Sequence, residues 1–254
     1  MIKLVSLNIE RSKHLSLVIP FLEKEEADVV CLQELAQKDI ELFEEALGSE
    51  CLFAPMANHG SGEDEIAPGI VGIGMFSKIP VAQQEVKYYW GTGAPEMLYD
   101  FSSAAGKHAT ESYVVAYQDV EKNGEQFKIA TTHFTWTPDG KADDFQREDM
   151  RSLLHVLDGL KDFALCGDFN APRGGEIFGE LSKRYIDNIP HEYKTSLTLS
   201  LHRAGKTEPE RLGSYMVDGL FTTPSYRATY VRLQFGISDH AAIIATIARE
   251  AERG

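Results

Sequence analysis

The chain has 254 residues, a hydrophobic fraction of 43% and a net charge of −14. These values describe a globular chain able to bury a full core, and exclude disorder, collagen and coiled coil. They also weigh against a protein that wraps long nucleic acid non-specifically, since no basic run exceeds two residues. A bound metal ion can supply positive charge locally, so a nuclease is disfavoured rather than excluded. No apolar stretch approaches the roughly 20 residues that span a bilayer. The opening MIKLVSLNIERS lacks the long apolar region and small-residue cleavage site of a signal peptide. Cys31, Cys51 and Cys166 form no CxxC pair, and read as buried, reduced thiols. A cytoplasmic location is the resulting expectation.

Ile2 to Ile9 predicts a buried first strand, and Leu15, Val18, Ile19 and Leu22 recur at helical spacing. After Asp28 the run VVCLQ predicts a second strand ending on Glu34. Ile40, Phe43 and Leu47 then share one face of a helix that Gly48 stops. The acidic residues from Glu41 to Glu50 are its solvated face. Residues 58–69 have loop composition. The strand IVGIGMFS, a Lys-Ile-Pro turn and VAQQEVKYYW follow. Within IVGIGMF, Gly72 and Gly74 indicate tight strand packing rather than a phosphate loop. Residues 91–111 read as a second long loop. Ser112 to Glu121 and Gln126 to His133 form a hairpin through Asn123-Gly124, a pair tolerant of positive φ. A helix is predicted over 143–160, with Met150, Leu153, Leu154, Leu157 and Leu160 as its apolar stripe. FALCGDFN predicts a short buried strand running into a turn, and a short helix follows near 176–183. Residues 191–214 are polar and carry no clear pattern. YMVDGLFTT, RATYVRLQF and HAAIIATIA predict three closing strands. Without a linker or low-complexity segment, this order indicates a single α/β domain over residues 1–254.

Polar residues gather where these strands end or begin. They are Asn8, Glu34, His133, Asp168 with Asn170, Asp218, and Asp239 with His240. Ligand sites in α/β sheets form at strand ends. Converging, these residues would supply four carboxylates, two amides and two histidines. Such a set suits a hard, oxygen-seeking cation, Mg²⁺ or Mn²⁺. It does not suit structural zinc, because no cysteine is placed to help. The chemistry that needs this set is phosphate-ester hydrolysis. A divalent ion offsets charge on the non-bridging oxygens, a carboxylate deprotonates water, and a histidine donates a proton. A carboxylate behind the histidine fixes its tautomer and raises its basicity.

The strings LNI at 7–9, LQE at 32–34, FSKIP at 76–80, TTHF at 131–134, GDFN at 167–170, VDGLF at 217–221 and SDH at 238–240 come in a telling order. In order and spacing the chain resembles the endonuclease/exonuclease/phosphatase superfamily, the fold of deoxyribonuclease I, from residue 4 to about residue 247. The resemblance implies a four-layered α/β sandwich, with two mixed β-sheets face to face between helices. It implies metal-dependent cleavage of phosphodiesters or phosphomonoesters. By motif, Glu34 would be the main metal ligand with Asn8 beside it, and Asp239 would lie near the metal. Asp168 would position and activate the water, and Asn170 would hold that water or a phosphate oxygen. His240, paired with Asp218, would contact the scissile phosphate. His133 matches a second histidine of the deoxyribonuclease and sphingomyelinase branches. The abasic-site nucleases carry a tyrosine near that position, so the chain looks less like a repair enzyme. Gly219 stands where the family commonly has tyrosine, which implies looser local packing.

Two further residues are candidates for substrate contact. Arg173, just after GDFNAP, could reach a phosphate, and Trp136 could line the mouth and stack on a base. Tyr88, Tyr89 and Trp90 read more simply as strand packing. His108, His202 and Arg203 stand outside the motif pattern. The sequence thus indicates a Mg²⁺- or Mn²⁺-dependent phosphohydrolase acting on a phosphoester of modest size. An endonuclease is one alternative, and a non-catalytic scaffold of the same fold another. An α/β-hydrolase is excluded by the lack of GxSxG, and a thiol enzyme by the lack of a cysteine in a polar, activating context. Substrate choice is expected in the loops at 58–69, 91–111 and 191–214.

Overall fold

A computed structural model describes residues 1–60 and 69–250. Most of the loop expected at 58–69 therefore lies outside the described residues. Twelve strands form two six-stranded sheets. The first has the order β11-β12-β1-β2-β4-β3, built from β1 (Ile2–Asn8), β2 (Val29–Ala36), β3 (Cys51–Asn58), β4 (Ile70–Ser77), β11 (Tyr226–Gln234) and β12 (Ala242–Arg249). The second has the order β5-β6-β7-β8-β10-β9, from β5 (Val81–Trp90), β6 (Tyr113–Lys122), β7 (Glu125–His133), β8 (Ala164–Asp168), β9 (Ile186–Asp187) and β10 (Asp218–Thr222). Helices are α1 (Leu15–Glu25), α2 (Ile40–Leu47), α3 (Ala104–Thr110), α4 (Asp144–Leu160), α5 (Glu176–Ser182) and α6 (Pro209–Leu212). Among them none is long and apolar enough to cross a membrane.

Three apolar layers hold the sandwich together, and the strand alternation explains them. In β1 and β2, Ile2, Leu4, Val29 and Cys31 face the other sheet and meet Ala116, Ile129, Ala164, Cys166 and Leu220. The intervening Val5, Leu7, Val30 and Leu32 face outward onto Val18, Phe21 and Leu22 of α1 and Phe43 and Leu47 of α2. On the far side, Val115, Ala130 and Leu165 meet Met150, Leu153 and Leu157 of α4 and Ile177 and Phe178 of α5. This is the four-layered arrangement, two mixed sheets between helices. Period-two strands and period-3.6 helices bury complementary stripes. Asp143 starts α4 by accepting the Gln146 N–H at 2.8 Å. All three cysteines are free, and Cys31 and Cys166 are buried between the sheets.

Four elements differ from the sequence reading. Strand β3 carries Pro55, which argues against a strand because it offers no N–H. It is tolerated because β3 is an edge strand whose register shifts between Pro55 and Ala57. Gly72 faces it so closely that a Cβ there would stand 2.1 Å from the Ala54 carbonyl oxygen. Within the expected loop 91–111, Ala104–Thr110 is helical, with Ser103 Oγ accepting the Gly106 N–H at 2.9 Å. The short β9 and α6 are too brief for any periodic signal.

Each sheet contains one parallel pair. β1 and β2 are joined through α1, and β7 and β8 through α4. A parallel pair brings two carboxyl-terminal strand ends to the same sheet edge. The edges of the two sheets face each other, and the polar strand ends meet there.

Candidate active site

The inward-facing rows that form the core continue past it into polar residues. Next to the apolar layer, Gln33 Nε2 donates across the sheets to Thr131 Oγ1 at 3.0 Å and, within its own sheet, to Ser6 Oγ at 3.3 Å. One step further lie Asn8, two residues after Ser6, and His133, two after Thr131. Asp168 follows Cys166 by two, and Asp218 precedes Leu220 by two. Asp218 and His133 both pair with Asp168 in register. All four belong to the row that points between the sheets.

Glu34 breaks this rule. With Gln33 inward, a regular strand would turn Glu34 outward. The register of β2 against β4 instead shifts between Leu32 and Leu35, and Glu34 has φ 55°. This bulge aims the carboxylate into the site. Asn8 Nδ2 donates to Glu34 Oε1 at 3.2 Å and to Asp168 Oδ2 at 3.1 Å. One amide thus ties an acid of each sheet together. Of the nine non-glycine residues described with left-handed backbone, five line this cavity: Glu10, Arg11, Glu34, Asp139 and Asn170. Such conformations persist where the surroundings impose them, and they gather at functional sites.

On the second sheet's side, Asp168 Oδ1 accepts the Asn170 N–H at 2.8 Å. Asn170 Nδ2 donates to the Phe134 carbonyl at 2.8 Å and meets His133 Nε2 at 3.0 Å. His133 Nε2 and His240 Nε2 stand 3.6 and 3.7 Å from Asp168 Oδ2. Asp218 Oδ2 lies 2.8 Å from His240 Nδ1, behind the ring. Burial would strip the proton from His240, but Asp218 and Asp168 outweigh it and raise its pKa well above the ordinary histidine value. Burial likewise pushes Asp218 up against the pull of His240. The pair holds its proton past the pH at which a free imidazole releases it.

On the first sheet's side Glu10 is held by Lys13 at 2.7 Å and His14 at 2.8 Å, whereas Asp239 has no such pair among the described residues. Burial, with Glu10 and Glu34 adding, pushes Asp239 up to about 7 despite His240 nearby. Glu34 goes the other way. Burial would raise it, but His133, Arg11, Asn8 and His240 together hold it below its usual value. Donor atoms fall within 4.8 Å of one another in two groups, Glu10 with His14 and Asp239, and Asp168 with Asp218 and His240. Oxygen donors dominate, as a hard divalent cation requires, and the raised Asp239 marks a place where one would relieve repulsion.

The residues enclose an open cavity of ≈ 460 Å³ lined by Glu34, His133, Asp168, Asn170, Asp239, His240 and Trp136. Asn8 and Asp218 support it from behind. Arg173 lies elsewhere. Asp187 holds its guanidinium at 2.9 Å, and it lines a separate groove with His191 and Tyr193. Tyr89 packs within the sheet, its hydroxyl 3.2 Å from Thr132 Oγ1. The expected slack beside Gly219 is filled. A Cβ there would stand 2.8 Å from the rings of Phe169 and Phe221, which meet edge to face at 5.3 Å.

Several site residues gave no sequence signal. Glu10 and His14, 2.8 Å apart, sit in the turn that follows β1. Glu111 lines the cavity with its carboxyl raised by burial. Ser196, in the patternless stretch 191–214, is a clamp. Its Oγ accepts the N–H groups of Val217 and Asp218 at 3.1 Å each, and its carbonyl accepts the Ala241 N–H at 2.7 Å. It fixes Asp218 and His240 relative to each other. No spacing rule marks it, because both contacts are long-range.

Comparison with solved structures finds the same architecture over almost the entire chain. An endonuclease/exonuclease/phosphatase from Bacteroides vulgatus aligns with a TM-score of 0.71 at 14% identity, covering 98% of this chain and 99% of that one. The mannosyl-6-phosphatase Bt3783 of Bacteroides thetaiotaomicron aligns with a TM-score of 0.68 at 12% identity, covering 98% and 100%. TDP2 of D. rerio, complexed with a single-stranded DNA product, aligns with a TM-score of 0.65 at 17% identity, covering 97% and 98%. No curated protein matches the sequence. The family model for the endonuclease/exonuclease/phosphatase family matches residues 5–241, and the chain belongs to that family.

Proposed function

We propose that this chain is a Mg²⁺- or Mn²⁺-dependent phosphohydrolase that cleaves a phosphodiester or a phosphomonoester by attack of water. One observation carries the reading. Asn8 bridges Glu34 and Asp168 at 3.2 and 3.1 Å, so acids from opposite sheets face one space rather than standing apart. A scaffold that had lost its chemistry would have no reason to keep a second carboxylate beside the buried Asp168. The mannosyl-6-phosphatase among the structural neighbours accords with hydrolysis of a compact phosphate ester. The net charge of −14 disfavours a long nucleic acid.

Glu34, Asn8 and Asp239 would hold the cation, with Glu10 within reach. When bound it would draw negative charge from the phosphoryl oxygens. The rest of the chemistry falls to the chain. Asp168, fixed through Asn8 and the Asn170 N–H, accepts a proton from water on its carboxylate. Asn170 orients that water or a phosphoryl oxygen through its amide. Asp218 accepts from His240 Nδ1–H and, with Asp168, favours the imidazolium, so Nε2 also carries a proton facing the cavity. That proton makes a charge-assisted hydrogen bond to the phosphoryl oxygen, strongest as charge builds. His133, on the other side of Asp168, serves as acid or phosphate contact once its Nε2 is released from the Asn170 amide.

The test is hydrolysis of bis-p-nitrophenyl phosphate with Mg²⁺, with Mn²⁺ and with EDTA, against Asp168→Ala. Turnover that needs the metal and vanishes in the variant is the expected result. Turnover equal with and without metal would overturn the reading.

A further inference from the structure

Four cationic side chains besides the histidines line the cavity: Arg11, Lys107, Arg203 and Arg211. Two are committed. Arg11 Nε stands 3.8 Å from Glu34 Oε2, and its Nη1 stands 3.3 Å from His59 Nδ1. Arg211 is paired with Asp139 at 2.7 Å and with Glu208. Lys107 and Arg203 have no carboxylate within 4.0 Å among the described residues. In a chain with fourteen more acids than bases, two cavity-lining cations without a carboxylate partner call for a reason.

Lys107 is held in place. It belongs to α3, which the structure pins firmly. The buried His108 Nε2 bonds Asp149 Oδ2 at 2.9 Å, and Trp90 Nε1 donates to the His108 carbonyl at 2.9 Å. The His108 ring lies 4.3 Å from that of Trp90 and 4.4 Å from that of Phe145. From this fixed turn the Lys107 ammonium reaches over Trp136, 3.5 Å from the ring centroid. A π-face steadies an ammonium without accepting all of its N–H groups, so donors remain for an anion. Arg203 comes from the turn in which His202 N bonds the Thr198 carbonyl at 2.9 Å and Gly205 N bonds the His202 carbonyl at 2.9 Å. Burial first, and Arg203 next, push Lys107 below the usual lysine value, while Glu111 and Glu34 pull it back only through space. Cations that repel each other within one cavity are both stabilised by an anion that binds there.

We propose that Lys107 and Arg203 form a second anion subsite beside the carboxylate cluster, and that the substrate is a compact phosphoester carrying a second phosphate, which this subsite holds. The proposal rests on the phosphohydrolase reading for the scissile group. The carboxylate cluster repels any anion that arrives without a cation, whereas Lys107 and Arg203 attract one directly. Arginine offers a planar pair of donors and lysine a point charge, a combination suited to phosphate. A cavity of ≈ 460 Å³ with only two such cations fits a small ligand, since a polymer would need a continued basic track.

The test compares two chromogenic diesters, the p-nitrophenyl ester of thymidine monophosphate with and without a second phosphate on the sugar. In the wild type with Mg²⁺, the second phosphate lowers KM by about tenfold or more, with little change in kcat. Lys107→Ala and Arg203→Ala each shrink that ratio, the double variant brings it to one, and Lys107→Arg keeps most of it. Equal KM values in the wild type, or a ratio untouched in the double variant, overturn the subsite and leave the phosphohydrolase standing. Failure to hydrolyse either diester, bis-p-nitrophenyl phosphate or p-nitrophenyl phosphate with Mg²⁺ or Mn²⁺ overturns the functional reading instead. The subsite is then decided by calorimetric binding of thymidine bisphosphate against thymidine monophosphate. Preference for the bisphosphate, lost in the double variant, supports it, and equal affinities in the wild type overturn it. Arg203 is exposed, so Arg203→Ala separates loss of binding from loss of fold.

Discussion

At the end of the sandwich where β1 begins, the half-buried acids Asp28 and Glu25 are closed by cations. Asp28 takes the Lys3 N–H at 2.7 Å and the Lys122 ammonium at 2.7 Å. Glu25 takes Lys3 at 2.9 Å and Arg232 at 2.8 Å. Burial alone would raise Glu25, but these partners hold it below its usual value. At the end where β1 finishes, Asp218 and Glu111 go up and Asp239 rises to about 7. There Asp218 and Asp239 have His240 as their cationic partner, and Glu111 has His133 and, through space, Lys107. Acids neutralised within the chain stabilise the fold. Acids crowded together without enough cations cost stability, and are kept for what they bind.

Removing Asp168 gives the largest expected effect. Asp168→Ala should lower metal-dependent turnover by about 10³-fold or more, because the group that takes the water's proton is gone. Retention of a tenth of the activity would remove Asp168 from the mechanism. Asp218→Asn should cost roughly 10²-fold, since His240 loses its charged partner. The pH dependence gives the sign. Asp218 raises the pKa of His240, so the variant releases that proton at lower pH. The alkaline limb of the profile should move to lower pH, and an unmoved limb would break the pair. Glu34→Ala tests the metal. At about 100 times its Kd, Mg²⁺ should stabilise the wild type by about 2.7 kcal/mol, a melting shift of several degrees, and the variant much less. Equal shifts in both proteins would place the cation elsewhere.

Much of this site could be read from period-two alternation. Asn8, His133, Asp168 and Asp218 each lie two residues from an inward-facing strand position, so the pattern that builds the core also aims them. Glu34 obeys the motif LQE but not the alternation. Only the bulge beside it, where φ is 55°, brings it inward, and a local register shift leaves no trace in composition. Glu10 and His14 escaped notice because their turn is irregular. Ser196 did so because its partners, Val217, Asp218 and Ala241, are distant in sequence. Lys107 was hidden in a stretch rich in glycine and serine, where one short helix forms because Ser103 caps it and His108 finds Asp149. Arg173 shows the converse. It sits beside the strongest motif, yet Asp187, from a strand too short to predict, captures it.

The smallest effect divides the two ends by sign. Asp28→Asn and Asp239→Asn each exchange a carboxylate for a near-isosteric amide, and both should be measured by thermal melting in EDTA. At Asp28 the change removes a charge that holds Lys122 and the Lys3 N–H, and stability should fall by about 1–2 kcal/mol. At Asp239 it should rise. A carboxyl whose folded pKa is about 7, against an ordinary 3.8, binds its proton more tightly folded than unfolded. The folded state therefore loses stability as pH climbs from near 4 to 7, and the full penalty is present above 7. The amide that replaces it carries no such penalty, and Ser238 can still donate to the amide oxygen as it does to Asp239 Oδ1 at 3.1 Å. The Asp239→Asn variant should melt higher than the wild type at about pH 8, and the two curves should converge near pH 4. A lower melting point under the alkaline condition would mean that Asp239 is closed by a cation after all, and that the two ends differ less than their geometry implies.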